Sequence, residues 1–156
     1  MIPLVYTRIG EFLISFYYEE VDQVIEISKN TVIEKKVLEN IRLPHIAYKD
    51  KWYPLFDLQK IFGVPSQGVK HIIIIKSNQN TLLCGVCTPS PVEEASVERE
   101  NILVFPPFLL SHQKISLLYA SAKIQSEQSF LCSFCDIFHP LTIAQFLLNS
   151  TSGGKS

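Results

Sequence analysis

The stretch KWYPLFDLQKIFG, residues 51–63, joins strand-forming side chains to a proline, an aspartate and a closing glycine. Trp52, Tyr53, Leu55 and Phe56 are aromatic or bulky apolar residues that suit a pleated, half-buried surface. Pro54 removes one ladder donor, which places its strand at an edge, a rim or a bulge. Asp57 stands just before Leu58, where its carboxylate can accept from the open amides of a helical turn. Gly63 can end that turn in the left-handed conformation. The segment therefore reads as a strand running into a short helical turn.

Strand signals continue on both sides. LVYT and FLISFY flank RIGE, where Gly10 can take the positive φ of a tight hairpin. VDQVIEI ends near a turn at SKN. HIAY and KWYPLF flank Lys49-Asp50, HIIIIKS and TLLCGVCT flank NQN, and KISLLYASAKI and SFLCSFCDI flank QSEQ. TVIEKKVLENIRLP has no clear period, and VLENIRLPHIAYKDK, with charges of both signs, reads as solvated surface. Two prolines in NILVFPPFLL forbid a long helix there. HPLTIAQFLLN reads as a C-terminal helix, with Pro140 in its first turn and Leu141, Ala144, Gln145 and Leu148 on one face. Short strands separated by turn signals predict a mostly β barrel or sandwich. No Gly/Ser-rich linker precedes the tail, so residues 1–149 are expected to form a single domain. Residues 150–156 read as a disordered tail.

Composition excludes several classes of function. The 156 residues are 47% hydrophobic and 19% charged, with a net charge of −1, enough apolar content to bury a core. No cluster of Lys and Arg provides the basic stripe of a nucleic-acid binder. The longest aliphatic run, Ile72 to Ile75, is far shorter than the roughly 20 residues of a membrane helix. The opening MIPLVYTRIGEF lacks a basic segment leading into a long apolar one, so a cytoplasmic location is expected and no membrane insertion.

The sharpest chemical pattern is Cys84-Gly85-Val86-Cys87 with Cys132-Ser133-Phe134-Cys135, the paired C-x-x-C spacing of a four-thiolate zinc site. That makes a zinc-stabilised β-barrel interaction module one alternative. Each pair lies in an apolar β-rich run, however, where residues three apart point to opposite faces. Thr88 and Asp136, rather than Gly, follow the second cysteines, and free cysteine is among the most buried residue types. Core thiols are the favoured reading, with no metal. His45, His71, His112 and His139 form no ligand or base pattern, and no G-x-S-x-G elbow or phosphate loop occurs. Glu19-Glu20 and Glu93-Glu94 read as solvated charges. No catalytic residue, cofactor site or enzyme signature is found.

The string IAYKDKWYPLFDLQKIFG resembles the hallmark of the CheW-like domain, the bacterial chemotaxis coupling module. In that family an Asn-Leu-Arg-Gly hairpin leads into a strand carrying Pro, then apolar–apolar–Asp-Leu, then a turn ending Phe-Gly. Pro54, Asp57, Leu58, Phe62 and Gly63 match directly, while Ala47-Tyr48-Lys49-Asp50 stands in the hairpin's place. Val24, Glu26 and Ile27 resemble a Val-x-Glu-Ile motif, and HIIIIKSNQNTLLCGV resembles the family's Val/Ile-rich hairpin with Gly85 in its second strand. The resemblance spans roughly residues 4 to 149, carried by the order of its motifs. It implies two packed five-stranded β-barrel subdomains with short helical turns and a C-terminal helix. It further implies an adaptor without an active site, joining a chemoreceptor's cytoplasmic tip to the regulatory domain of a CheA-like histidine kinase. Lys49, Glu26, Asp50 and Tyr48 are its candidate partner-binding residues. A CheW-like module serving another motility or two-component system is a second alternative. Lys49 replaces the family's Arg, giving up a planar fork for a point charge.

Overall fold

The computed structural model describes residues 1–38, 40–77, 79–104 and 118–132. In chain order these form β1 (Ile2–Ile9), β2 (Phe12–Tyr17), β3 (Val21–Glu26), β4 (Ile33–Leu38), β5 (Ile41–Tyr48), β6 (Lys51–Asp57), the one-turn helix α1 (Leu58–Ile61), β7 (His71–Lys76), β8 (Leu82–Thr88), β9 (Val92–Val97), β10 (Ile102–Val104), β11 (Leu118–Ile124) and β12 (Glu127–Cys132). Two sheets result, one in the order β10-β11-β12-β2-β1-β9 and the other in the order β3-β7-β8-β6-β5-β4. The fold is mostly β, as expected. The C-terminal helix, the prolines of NILVFPPFLL and Cys135 lie outside the described residues.

Turn chemistry sets the hairpins. Gly10 has φ +58° in the two-residue β1–β2 turn, and a Cβ there would also sit 3.2 Å from Val64 Cγ1. Lys49 and Asp50 have φ +49° and +66°, and Gln125 and Ser126 have +52° and +70°. Positive φ at both central residues is the type I′ geometry whose twist matches the flanking strands.

Among the described residues each sheet has six strands, where the resemblance implies five-stranded barrels. The three-residue β10 ends the first sheet, and β4, which pairs with β5 in register Ile33↔Ile46 through Leu38↔Ile41, ends the second. The stretch read as patternless is thus a hairpin. Its alternation is masked because Ile33, Glu34, Lys35 and Val37 of β4 are exposed, on both faces of the strand, while Ile41, Leu43 and Ile46 of β5 are buried.

Pro54 also differs from expectation: β6 is an interior strand, between β8 and β5. It pairs antiparallel with β5 over residues 51–54 and parallel with β8 over residues 55–57. Hydrogen-bonded pairs alternate outward from the Tyr48↔Lys51 pair that closes the hairpin, so His45↔Pro54 is a non-bonded pair. The ring nitrogen therefore points away from β5, and pairing with β8 begins one residue later. Pro54 costs no ladder bond because it marks where the strand changes partner.

Three apolar clusters form the interior. Leu4, Leu13, Val97, Ala120, Ala122, Ile124 and Leu131 belong to the first sheet alone. Ile46, Leu55, Ile72, Ile74 and Cys87 fill the concave side of the second. A third joins Ile9, Ile14, Phe16 and Cys132 of the first sheet to Leu43, Phe56, Leu58, Ile61, Ile73, Cys84 and Val86 of the second sheet and α1. The buried Thr7 and Thr88 hydroxyls, 2.7 Å apart, add a hydrogen bond between β1 and β8 at the same junction. Glu20, read as solvated, is buried in the 3₁₀ turn between β2 and β3; burial, and then the Glu20 charge, raise the Cys132 thiol pKa.

Candidate partner-binding site

The β5–β6 hairpin projects from the second sheet with four polar or aromatic side chains at its end: Tyr48, Lys49, Asp50 and Lys51. Although β5 and β3 are separated by three strands in the sheet order, the tip reaches back to β3. The Tyr48 hydroxyl donates to Asp22 Oδ2 at 2.6 Å and approaches Gln23 Oε1 at 2.8 Å. Lys49 Nζ donates to the same Asp22 oxygen at 3.0 Å. The curl of the sheet makes these contacts possible, and the hairpin tip fastens its open side.

The electrostatics follow from this geometry. The Tyr48 hydrogen bond, assisted by Lys49, holds the Asp22 carboxyl below its ordinary value despite some desolvation. Burial and the Asp22 hydrogen bond push the Tyr48 phenol far above its ordinary range, so it stays a donor throughout the physiological range. The Tyr48 ring stacks edge-on against Tyr53 with centroids 6.4 Å apart, and Lys49 Nζ lies 5.3 Å from its centroid. The Lys49 side chain keeps 59% of its exposure, so one face of the ammonium remains open to a partner.

The candidate residues therefore divide. Tyr48 and Lys49 converge on Asp22, and Asp50 stands exposed beside them in the turn. Glu26 does not join them: it is exposed at the far end of β3, opposite His71, four residues or about 13 Å along the strand from Asp22. Sequence reasoning missed Asp22, the acceptor that organises the group. Nothing local marks it, since its partners lie 26 and 27 residues away in the chain.

Behind the hairpin, β6 leads into the turn read from its sequence. Asp57 Oδ1 accepts from Gln59 N at 2.9 Å, capping α1, and Gly63 takes φ +66°. Gln59, itself buried, donates from Nε2 to the Gly68 carbonyl at 2.7 Å and accepts from Gln67 N at 2.6 Å, holding residues 64–70 against α1.

The three described cysteines, Cys84, Cys87 and Cys132, are buried. Cys84 and Cys87 of β8 point to opposite faces, one into the cluster between the sheets and the other into the concave side of the second sheet. They cannot turn toward one ion from there, and Cys132 is fully buried. Burial, then the nearby Asp57 charge, pushes the Cys87 thiol up to about 12. No group of His, Cys, Asp and Glu among the described residues is arranged to hold a metal. Among the same residues no helix is long and apolar enough to cross a membrane.

Neither a protein-family model nor a curated protein sequence matches the chain. A solved structure does: the crystal structure of the scaffolding protein TtCheW from Thermoanaerobacter tengcongensis superposes with a TM-score of 0.68. That match has 22% sequence identity and covers 88% of this chain and 92% of the other. The order of motifs around Pro54, Asp57 and Gly63, the two sheets and this superposition agree, and the chain has the fold of a divergent CheW-like domain.

Proposed function

We propose that the protein is a non-enzymatic adaptor of the cytoplasm that couples chemoreceptors to a histidine kinase by binding both. The observation that carries this reading is the hairpin tip. Tyr48 and Lys49 are fixed on Asp22, so the exposed ammonium and the adjacent Asp50 are presented on a framework already ordered before binding. Preorganisation of this kind reduces the entropy lost on association. A scaffolding protein with the same fold supports the same assignment.

The test is a pull-down with the intact protein from the lysate of its own source, read by mass spectrometry. Recovery of a histidine kinase or a chemoreceptor is the expected result. Recovery of neither, with both shown to be expressed, would remove the coupling role. With a partner in hand, Lys49→Glu should weaken binding about tenfold, a loss of roughly 1.4 kcal/mol. Unchanged affinity in that titration would take Lys49 out of the interface.

A further inference from the structure

We propose that β4 is an edge strand that accepts an extended, acidic segment of a protein partner by strand addition. Among the described residues β4 pairs with β5 alone and forms one end of its sheet. Counting outward from the Leu38↔Ile41 pair that closes the β4–β5 turn, residues 34, 36 and 38 bond to β5. The amides and carbonyls of Ile33, Lys35 and Val37 therefore point out along the free edge. The side chains of these three residues share one face, and all are exposed, Ile33 by 41% and Val37 by 69%. Arg42, exposed on β5 opposite Val37, adds a second cation to that face. An open edge flanked by exposed aliphatic residues is a ready template for another strand.

Charge selects the occupant. A second copy pairing antiparallel about its own β4 would join Ile33 to Val37 and Glu34 to Lys36, but would set Lys35 directly against Lys35, an unfavourable like-charge pair. The lysine thus disfavours self-association and calls for a carboxylate in its place. The complementary segment is extended, with apolar residues opposite Ile33 and Val37 and an acidic residue opposite Lys35. On the other face Lys36 lies 4.1 Å from the Trp52 ring of β6 and 3.7 Å from Glu34, so its cation is engaged across the sheet and Lys35 carries the charge at the edge.

The probe is a blocked heptapeptide of alternating threonine and valine whose central valine is replaced by glutamate, titrated into the full chain and followed by amide NMR. Binding should shift the Ile33, Lys35 and Val37 amides and slow their hydrogen exchange, leaving the Lys49 amide unmoved. Lys35→Glu should weaken that peptide about tenfold, and a central-lysine peptide should restore the loss. Three outcomes would overturn the proposal: no shifts along β4, equal binding of the acidic and basic peptides to the unaltered protein, or undiminished binding of a peptide N-methylated on its β4-facing amides. Concentration-dependent dimerisation through β4 would also overturn it, by giving the edge to a second copy.

Discussion

Asp22 gathers two donors onto one carboxylate oxygen, which gives the hairpin tip a defined pH dependence. Its folded pKa is lowered, first by the Tyr48 hydrogen bond and then by Lys49. The resulting stability is present above the unfolded carboxyl value of about 3.9 and is lost as pH falls through the lower folded value. The stability difference between the unaltered protein and Asp22→Asn should therefore be constant from neutral pH to about pH 5 and shrink below pH 4. Denaturant titrations across that range check it. At neutral pH the substitution should cost about 1 kcal/mol, the scale of one hydrogen bond to a charged acceptor in a partly exposed setting. A pH-independent difference would mean that the carboxylate's charge is not what holds the hairpin.

At the scale of an element, α1 has a single turn and depends on its ends. Removing the cap by Asp57→Ala should cost about 1 kcal/mol and loosen residues 64–70, which Gln59 ties to the same turn. Hydrogen exchange should quicken at the Gln59 and Gln67 amides together; acceleration at Gln59 alone would separate cap from loop. In β8 the decisive position is Gly85, paired with Leu55 on one side and Ile74 on the other. A Cβ there would lie 2.5 Å from Leu55 Cδ2 and 2.9 Å from Ile72 Cγ2. Gly85→Ala should destabilise by about 1–3 kcal/mol, the usual cost of overpacking a filled core. A thermal melt checks it, and a neutral or stabilising result would show that the leucine can turn aside.

Over the whole molecule, the cysteines report how tightly the two sheets close on each other. Cys84 and Cys132 lie in the cluster shared by both sheets, and Cys87 lies inside the second. With their sulfurs buried and the Cys87 thiol near 12, the native protein should resist alkylation at pH 8 at these three positions. Iodoacetamide labelling read by peptide mass mapping should modify them only in denaturant. Rapid native labelling of Cys84 and Cys132 together would show the sheets parting, whereas labelling of Cys87 alone would show the second sheet uncurling.

Much of the fold was legible locally. Gly10, Lys49-Asp50, Asp57 and Gly63 act through backbone dihedrals and near-neighbour hydrogen bonds, so their roles in turns and caps follow from residues a few positions away. The β4–β5 hairpin was not legible, because β4 exposes Ile33 and Val37 as well as Glu34 and Lys35 and so lacks a buried, alternating apolar face. By itself the sequence determined a mostly β chain, its principal hairpins, and cysteines three apart that face opposite ways on a strand. Only the tertiary structure decided that Pro54 sits where an interior strand changes partner, that Glu20 is buried, and that Asp22 binds the hairpin tip. Those facts depend on which strands become neighbours, and neighbours 26 residues apart are chosen by the packing of both sheets around a shared core.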